Sequence, residues 1–140
     1  MEPEDSKLTE FPSEAGTLRY KDLTRQIIGA AIEVHKAIGP GLLESVYEEC
    51  LCHELGLRGL RFERQVEVPV IYKGVKLESG HRLDLVVEGT VILEIKSVDR
   101  HHPIFEAQLL TYMRLLQKPV GLVLNFNVPI LRTGIVRRVL

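Results

Sequence analysis

The chain has 140 residues, of which 45% are hydrophobic and 26% are charged, and its formal net charge is -1. These values are typical of a single globular domain. They exclude a protein whose overall charge attracts nucleic acid, so only a local basic patch could bind such a partner. No stretch is apolar for long enough to cross a membrane.

The N-terminal segment differs in composition from the rest of the chain. Residues 1–19 are polar and acidic, which predicts a flexible tail, and residues 20–140 form one predicted domain. The segment lacks the apolar run of a signal peptide. Cys50 and Cys52 are two apart in a helical pattern, where side chains point about 200° apart, so we expect no disulfide bond between them. Free thiols in such a chain indicate a cytoplasmic protein.

Two helices are predicted at the start of the domain. Apolar residues recur at helical spacing from Leu23 to Ile38 and again from Leu42 to Leu55. Gly39-Pro40-Gly41 predicts the break between the two helices, because proline cannot continue the first one. Gly56 predicts the end of the second helix.

The apolar spacing then changes from helical to alternating, which predicts strands joined by tight turns. A helix follows the third strand, and it should cross over and place the fourth strand parallel to its neighbour. The result is a mixed sheet with helices on its faces. In chain order, we expect strands from Phe62 to Val70, Lys76 to Glu88 and Val91 to Val98, a helix from Pro103 to Leu116, and strands from Pro119 to Phe126 and Gly134 to Val139.

Charged side chains interrupt two of these apolar strands. Asp84 and Glu94 each lie five residues from Gly89, the centre of a tight turn, so they should face each other across the hairpin. Lys96 follows on the same face as Glu94. Facing carboxylates repel each other, and a lysine or a divalent cation would remove the conflict. The pattern predicts either a metal site suited to phosphodiester hydrolysis or an ion-pair cluster at a sheet edge.

Helical positions add further polar residues to this pattern. Glu44 lies in the first turn of the second helix, at the margin of the apolar stripe, where the helix dipole also favours an ordinary acid. Gln108 and Tyr112 are four apart on the third predicted helix and share a face. Both could donate a hydrogen bond to a phosphate or a water, or could belong to a half-buried helix face.

Together these segments resemble the GxxExxY proteins, a group within the PD-(D/E)XK nuclease-like superfamily. The name motif corresponds to Gly41-Leu42-Leu43-Glu44-Ser45-Val46-Tyr47, and GHRLDLVVE, ILEIKSV, AQLLTYM and GLVLNF are also similar to family segments, in the same order. The resemblance covers about Leu23 to Leu140. It implies an α/β fold with a restriction-endonuclease-like core, in which helices flank a mixed central sheet of four to five strands.

The resemblance also implies roles for individual residues. Asp84, Glu94, Glu44 and the backbone carbonyl of Ile95 would hold Mg²⁺ or Mn²⁺. Lys96 would help to activate the attacking water, and Glu44 would also be a catalytic residue.

We expect supporting roles for residues around this centre. Gln108 and Tyr112 would be catalytic residues that support the substrate or the lysine. His35, Tyr47 and Arg82 are candidate substrate contacts, although His35 also suits a packing role beside an apolar stripe.

Three functions are compatible with this pattern. The leading hypothesis is a metal-dependent nuclease that acts on DNA or RNA. The alternatives are a non-catalytic module that binds nucleic acid or a nucleotide, and an interaction domain of the same fold that forms a homodimer. One departure from the family is Phe105, where many relatives are expected to carry a histidine.

Overall fold

The computed structural model describes residues 14–78 and 80–140, with side chains from residue 20 onward. Helix α1 (Glu14–Ile38) begins inside the segment that the sequence predicts as a tail. The rest of that predicted tail, residues 1–13, lies outside the described residues.

Two further helices follow α1 in the chain. Helix α2 (Glu44–Leu57) begins after the predicted glycine–proline break. The expected end at Gly56 is wrong, because the helix passes through this residue and the chain turns at Gly59, whose φ is +74°. Helix α3 (Pro103–Leu116) occupies the predicted residues.

Five strands form a mixed sheet, within the four to five strands that the resemblance implies, and their order is β1-β4-β5-β6-β7. Strands β5 and β6 are parallel and are joined by the predicted crossover through α3, whereas the other neighbours are antiparallel. A short 3₁₀ helix precedes the last strand. The strands are β1 (Phe62–Glu67), β2 (Val70–Tyr72), β3 (Val75–Leu77), β4 (Arg82–Val87), β5 (Val91–Lys96), β6 (Val120–Asn125) and β7 (Ile135–Val139).

The first two predicted strands are each broken into two. Strands β2 and β3 form a separate two-stranded ribbon around a turn at Lys73 and Gly74, instead of lengthening β1 and β4. Pro69 lies at the first break and has no N–H to donate to a ladder. Gly80 lies at the second break with a φ of +77°, which is outside the range of a strand.

Apolar side chains cover both faces of the sheet. On one face, Leu93 and Leu122 pack in a core with α1 and α2, and on the other, Ile92 and Leu109 pack in a core with α3. A Cβ atom on Gly121 of β6 would lie 2.8 Å from the Leu109 side chain, so glycine is needed for α3 to approach this closely. Among the described residues, no helix has the length and apolar character that a membrane span requires.

Candidate active site at the open end of the β4–β5 hairpin

The hairpin brings Asp84 and Glu94, here called the acid pair, together in the predicted register. Leu85 pairs with Leu93, and the acid pair comes next along the two strands. Beyond that point, side chains replace the backbone ladder. Glu94 Oε2 accepts a hydrogen bond from the Asp84 N–H at 3.1 Å, and Asp84 Oδ2 accepts one from the Ile95 N–H at 2.7 Å. Each carboxylate is therefore held by the opposite strand's backbone.

Strand β4 and its neighbour β1 are both distorted at the level of Asp84. Leu83 packs in the core on the α3 face, whereas Leu85 packs on the α1–α2 face. Residues two apart on a regular strand point to the same face, so the alternation breaks at Asp84. On β1, Gln65 lies between the residues in register with Leu83 and Leu85, and its φ is +51°. The distortion releases Asp84 from regular pairing on both sides.

The acid pair is partly withdrawn from water, since Asp84 is half-buried and Glu94 is buried. Glu94 is only 9% exposed, and its burial, together with the charge of Asp84, raises its pKa to about 7. Burial is also the main reason that the pKa of Asp84 is raised, and the charges of Glu48 and Glu44 act in the same direction. The surroundings therefore compensate only part of the negative charge at the site.

Lys96 is the nearest compensating cation on β5. Its charge lowers the pKa of both members of the acid pair, against the larger effect of burial. Its Nζ atom lies 4.6 Å from the centre of the Phe105 ring in α3, a cation–π contact. Phe105, at the position where a histidine is expected in relatives, therefore contacts the predicted catalytic lysine.

Glu44 begins α2 and reaches the chain just past β5. Its Oε2 accepts a hydrogen bond from the Ser97 N–H at 3.2 Å, while Ser97 Oγ donates to the Leu42 carbonyl at 2.6 Å. The buried Asn125 side chain holds the same segment from β6, since it accepts from the Val98 N–H at 3.1 Å and donates to the Val98 carbonyl at 3.0 Å. Glu44 is exposed, so solvent reaches this side of the site.

Helix α3 supplies the two residues predicted on its shared face. The pKa of the half-buried Tyr112 is raised by burial and then by the charges of Glu94 and Asp84, which places the phenol within electrostatic reach of the acid pair. Gln108 lies one turn earlier on the helix and is also half-buried. Their proposed roles remain predictions.

Two of the predicted substrate contacts are buried in the protein. Tyr47 has no exposed surface, and its hydroxyl donates to the Gly39 carbonyl at 2.6 Å and accepts from the Leu42 N–H at 3.1 Å. His35 is 7% exposed, and its Nε2 lies 2.8 Å from the Val128 carbonyl. Both side chains brace loops near the site and offer a substrate little or no surface, and a role for either one as a substrate contact stays a prediction.

The third predicted contact, Arg82, is exposed at the start of β4. It lies two residues before Asp84, and its Nη1 donates to the Gln65 carbonyl at 3.3 Å. A charged side chain in this position remains accessible to a phosphate.

Sequence reasoning missed Glu48, which is 6% exposed. Its Oε2 accepts a hydrogen bond from Arg64 Nε at 3.0 Å, and its Oε1 accepts one from Gln65 Nε2 at 3.1 Å. Its charge also contributes to the raised pKa of Asp84. The available signal was the four-residue spacing from Glu44, which places both acids on one helical face.

The chemistry of the donors fits a hard divalent cation. Asp84, Glu94 and Glu44 each use one carboxylate oxygen in the hydrogen bonds described above and retain another, and such oxygens suit Mg²⁺ or Mn²⁺. The pKa values of the acid pair are raised mainly by burial and also by neighbouring carboxylate charges, and a cation would offset this repulsion. Within residues 14–78 and 80–140, no three His, Cys, Asp or Glu side chains already surround one point as a metal centre.

A family model described as the PD-(D/E)XK nuclease superfamily matches residues 21–139, a range that contains every residue of this site. The chain belongs to the PD-(D/E)XK nuclease superfamily. Its mixed sheet and flanking helices are consistent with the restriction-endonuclease-like fold. PD-(D/E)XK nucleases generally use divalent metal ions. Searches among curated proteins and among solved structures found no significant match, and the closer resemblance to the GxxExxY group stays a prediction.

Proposed function

We propose that this member of the PD-(D/E)XK nuclease superfamily is a metal-dependent nuclease that hydrolyses phosphodiester bonds in DNA or RNA. The observation that carries the proposal is the acid pair, in which Glu94 is buried and Asp84 is half-buried, with Lys96 beside it at the end of β5. Two neighbouring carboxylates whose pKa values are raised by burial are costly to the folded protein. Such groups are often found where charge is needed for chemistry.

Four oxygen donors would hold the ion. The acid pair would provide the central ligands, the Ile95 carbonyl would add a neutral one, and Glu44 would join directly or through water. The donor type favours Mg²⁺ or Mn²⁺. When bound, the ion supplies a positive charge that stabilises the transition state and lowers the pKa of a water ligand.

Lys96 would orient the attacking water or stabilise charge on the phosphate. The ring of Phe105 holds its ammonium group by a cation–π contact, which occupies no N–H donor in a direct hydrogen bond. The donors of the ammonium therefore remain available to an oxygen of the substrate or of water.

Residues on α3 and β4 would bind the substrate around this centre. The phenol of Tyr112, whose pKa is raised by burial and by the charges of the acid pair, is protonated at neutral pH like an ordinary tyrosine and can donate to a phosphate oxygen or to water. Gln108 would offer its amide from the same helix face. Arg82 would contact a neighbouring phosphate from the start of β4.

The test is a cleavage assay with single-stranded and double-stranded DNA and RNA, in Mg²⁺, in Mn²⁺ and in chelator. We expect product only with a divalent ion, and a loss of at least about 100-fold in the Lys96→Ala variant. Lys21→Ala changes an exposed lysine of α1 and is the matched control, with unchanged activity expected. Product that persists in Lys96→Ala would contradict the proposal.

The two alternative functions give different results in the same assay. A binding module would retain each substrate without forming product, and Lys96→Ala would leave that binding intact. An interaction domain would form a stable dimer, as measured by light scattering, with neither cleavage nor binding of nucleic acid.

A further inference from the structure

Glu48 connects α2 to β1 at the level of the acid pair. Arg64 and Gln65 donate to its two oxygens, and Arg64 also donates to the exposed Glu49 at 3.3 Å. Both oxygens of the buried Glu48 thus accept hydrogen bonds from side chains of β1, so its carboxylate is engaged within the protein. The contact that leads from Glu48 towards Asp84 is the one with Gln65.

Gln65 has an unusual backbone conformation. Its φ of +51° lies in the left-handed region, which is uncommon for residues other than glycine, asparagine and aspartate. Such a conformation persists where surrounding contacts maintain it. Glu48 holds the Gln65 side chain, and Arg82 donates to the Gln65 carbonyl.

The conformation of Gln65 coincides with the release of Asp84 from the sheet. The two residues lie at the same level of the β1–β4 register, between the pairs that contain Leu83 and Leu85. At this level the Asp84 N–H donates to Glu94, and the Asp84 carboxylate accepts from Ile95. Flattening β1 at Gln65 would return β4 to a regular ladder and turn Asp84 away from these partners.

We propose that Glu48 is a positioning residue, which holds Gln65 in the left-handed conformation and thereby orients Asp84 for metal binding. The part of this inference that concerns the metal rests on the proposed function. The orientation of Asp84 belongs to the metal-free protein and can be measured separately.

The first measurement is amide hydrogen exchange in metal-free protein, followed by NMR. Glu48→Ala is expected to speed exchange of the Ile95 amide at least about tenfold, because this amide donates to Asp84, while the Leu93 amide stays unchanged. Glu49→Ala is the matched control, because Glu49 also contacts Arg64 but has no hydrogen bond to Gln65. Unchanged exchange at Ile95 in Glu48→Ala would overturn the proposal.

The second measurement is rescue by glycine, which adopts a positive φ without a supporting contact. The Glu48→Ala/Gln65→Gly double variant should recover both the protection of Ile95 and the Mn²⁺ affinity of the wild type. If Glu48 contributed only to overall stability, Gln65→Gly would restore neither quantity, and that result would overturn the proposal.

Variants of Gln65 alone keep the test decisive if Glu48→Ala does not fold. Gln65→Gly should leave Ile95 protected, whereas the β-branched Gln65→Val should expose it, because valine disfavours the left-handed region. Equal protection in these two variants would overturn the proposal. If the wild type neither binds Mn²⁺ nor cleaves nucleic acid, the proposed function fails, and the exchange results still decide whether Glu48 positions Asp84.

Discussion

The two ends of the β4–β5 hairpin differ in their side chains, which are apolar next to the turn and charged at the open end. Next to the turn, Val87 pairs with Val91 in a regular ladder, and both side chains are fully buried. At the open end, Asp84 and Glu94 are withdrawn from water beside each other, and their carboxylates replace the ladder. One end removes apolar surface from water, which stabilises the fold, while the other end brings like charges together, which opposes it.

This difference shows how a small domain can tolerate an unfavourable site. The apolar end and the two core layers provide the stability, so the fold can tolerate the raised pKa values of the acid pair. Departures from local rules of strand structure are expected at functional sites for this reason. Changes at the apolar end should therefore alter stability, and changes at the acid end should alter ion binding and the pH dependence of stability.

The largest change in stability is expected at the apolar end. Ile92→Ala removes a fully buried side chain of β5 and should lower the free energy of unfolding by about 2–5 kcal/mol, because a cavity remains in the core. Urea unfolding measures this change. Ile71→Ala in the β2–β3 ribbon, where the residue is 65% exposed, is the control, with a change within about 0.5 kcal/mol. Similar losses in the two variants would refute the contrast in packing.

Replacing Glu94 is expected to change the free energy of unfolding by a smaller amount and in the opposite direction. Because its pKa rises from 4.5 to about 7 on folding, the folded protein binds more protons than the unfolded chain between these values. The free energy of unfolding of metal-free protein should therefore fall as the pH rises from about 5 to about 7.5. Glu94→Gln should flatten this dependence and stabilise the protein at pH 8 by on the order of 1–3 kcal/mol.

Urea unfolding at several pH values in chelator measures the effect of Glu94→Gln. Glu49→Gln changes an exposed glutamate of α2 and serves as the control, with the wild-type profile retained. A Glu94→Gln profile parallel to that of the wild type would show that Glu94 titrates normally in the folded protein.

The smallest effect is expected at the contact between Lys96 and Phe105. A double-mutant cycle with Lys96→Met and Phe105→Leu should give a coupling energy of about 0.5–1 kcal/mol, because the cation–π contact is partly exposed. Phe105→Tyr retains a ring and should preserve most of the coupling. A coupling energy near zero would mean that the ring does not hold the lysine.

Local patterns in the sequence were sufficient to predict the register in which Asp84 and Glu94 come together. A tight turn around Gly89 determines which residues of the hairpin face each other, so the register of Asp84 and Glu94 follows from counting along the chain. The amphipathic segment of α3 between two buried strands likewise predicts the parallel crossover.

The rest of the site depends on contacts between distant segments, which spacing does not reveal. The left-handed conformation of Gln65 has no local signal, because glutamine does not favour it, and its partner Glu48 comes from α2. Tyr47 was predicted from a motif to contact the substrate, but a motif does not say whether a tyrosine hydroxyl faces solvent or the Gly39 carbonyl. Only the packing of α2 against the core determines that choice.

The most direct test of a metal site at the acid pair is calorimetric titration of Mn²⁺ into the wild type and the Asp84→Ala/Glu94→Ala double variant. Each titration is made alone and with a short non-cleavable oligonucleotide, since a phosphate can complete the coordination of the ion. We predict saturable binding in the wild type and none in the double variant under the same conditions. Equal binding in the two proteins, or no binding in the wild type even with the oligonucleotide, would contradict a metal site at the acid pair.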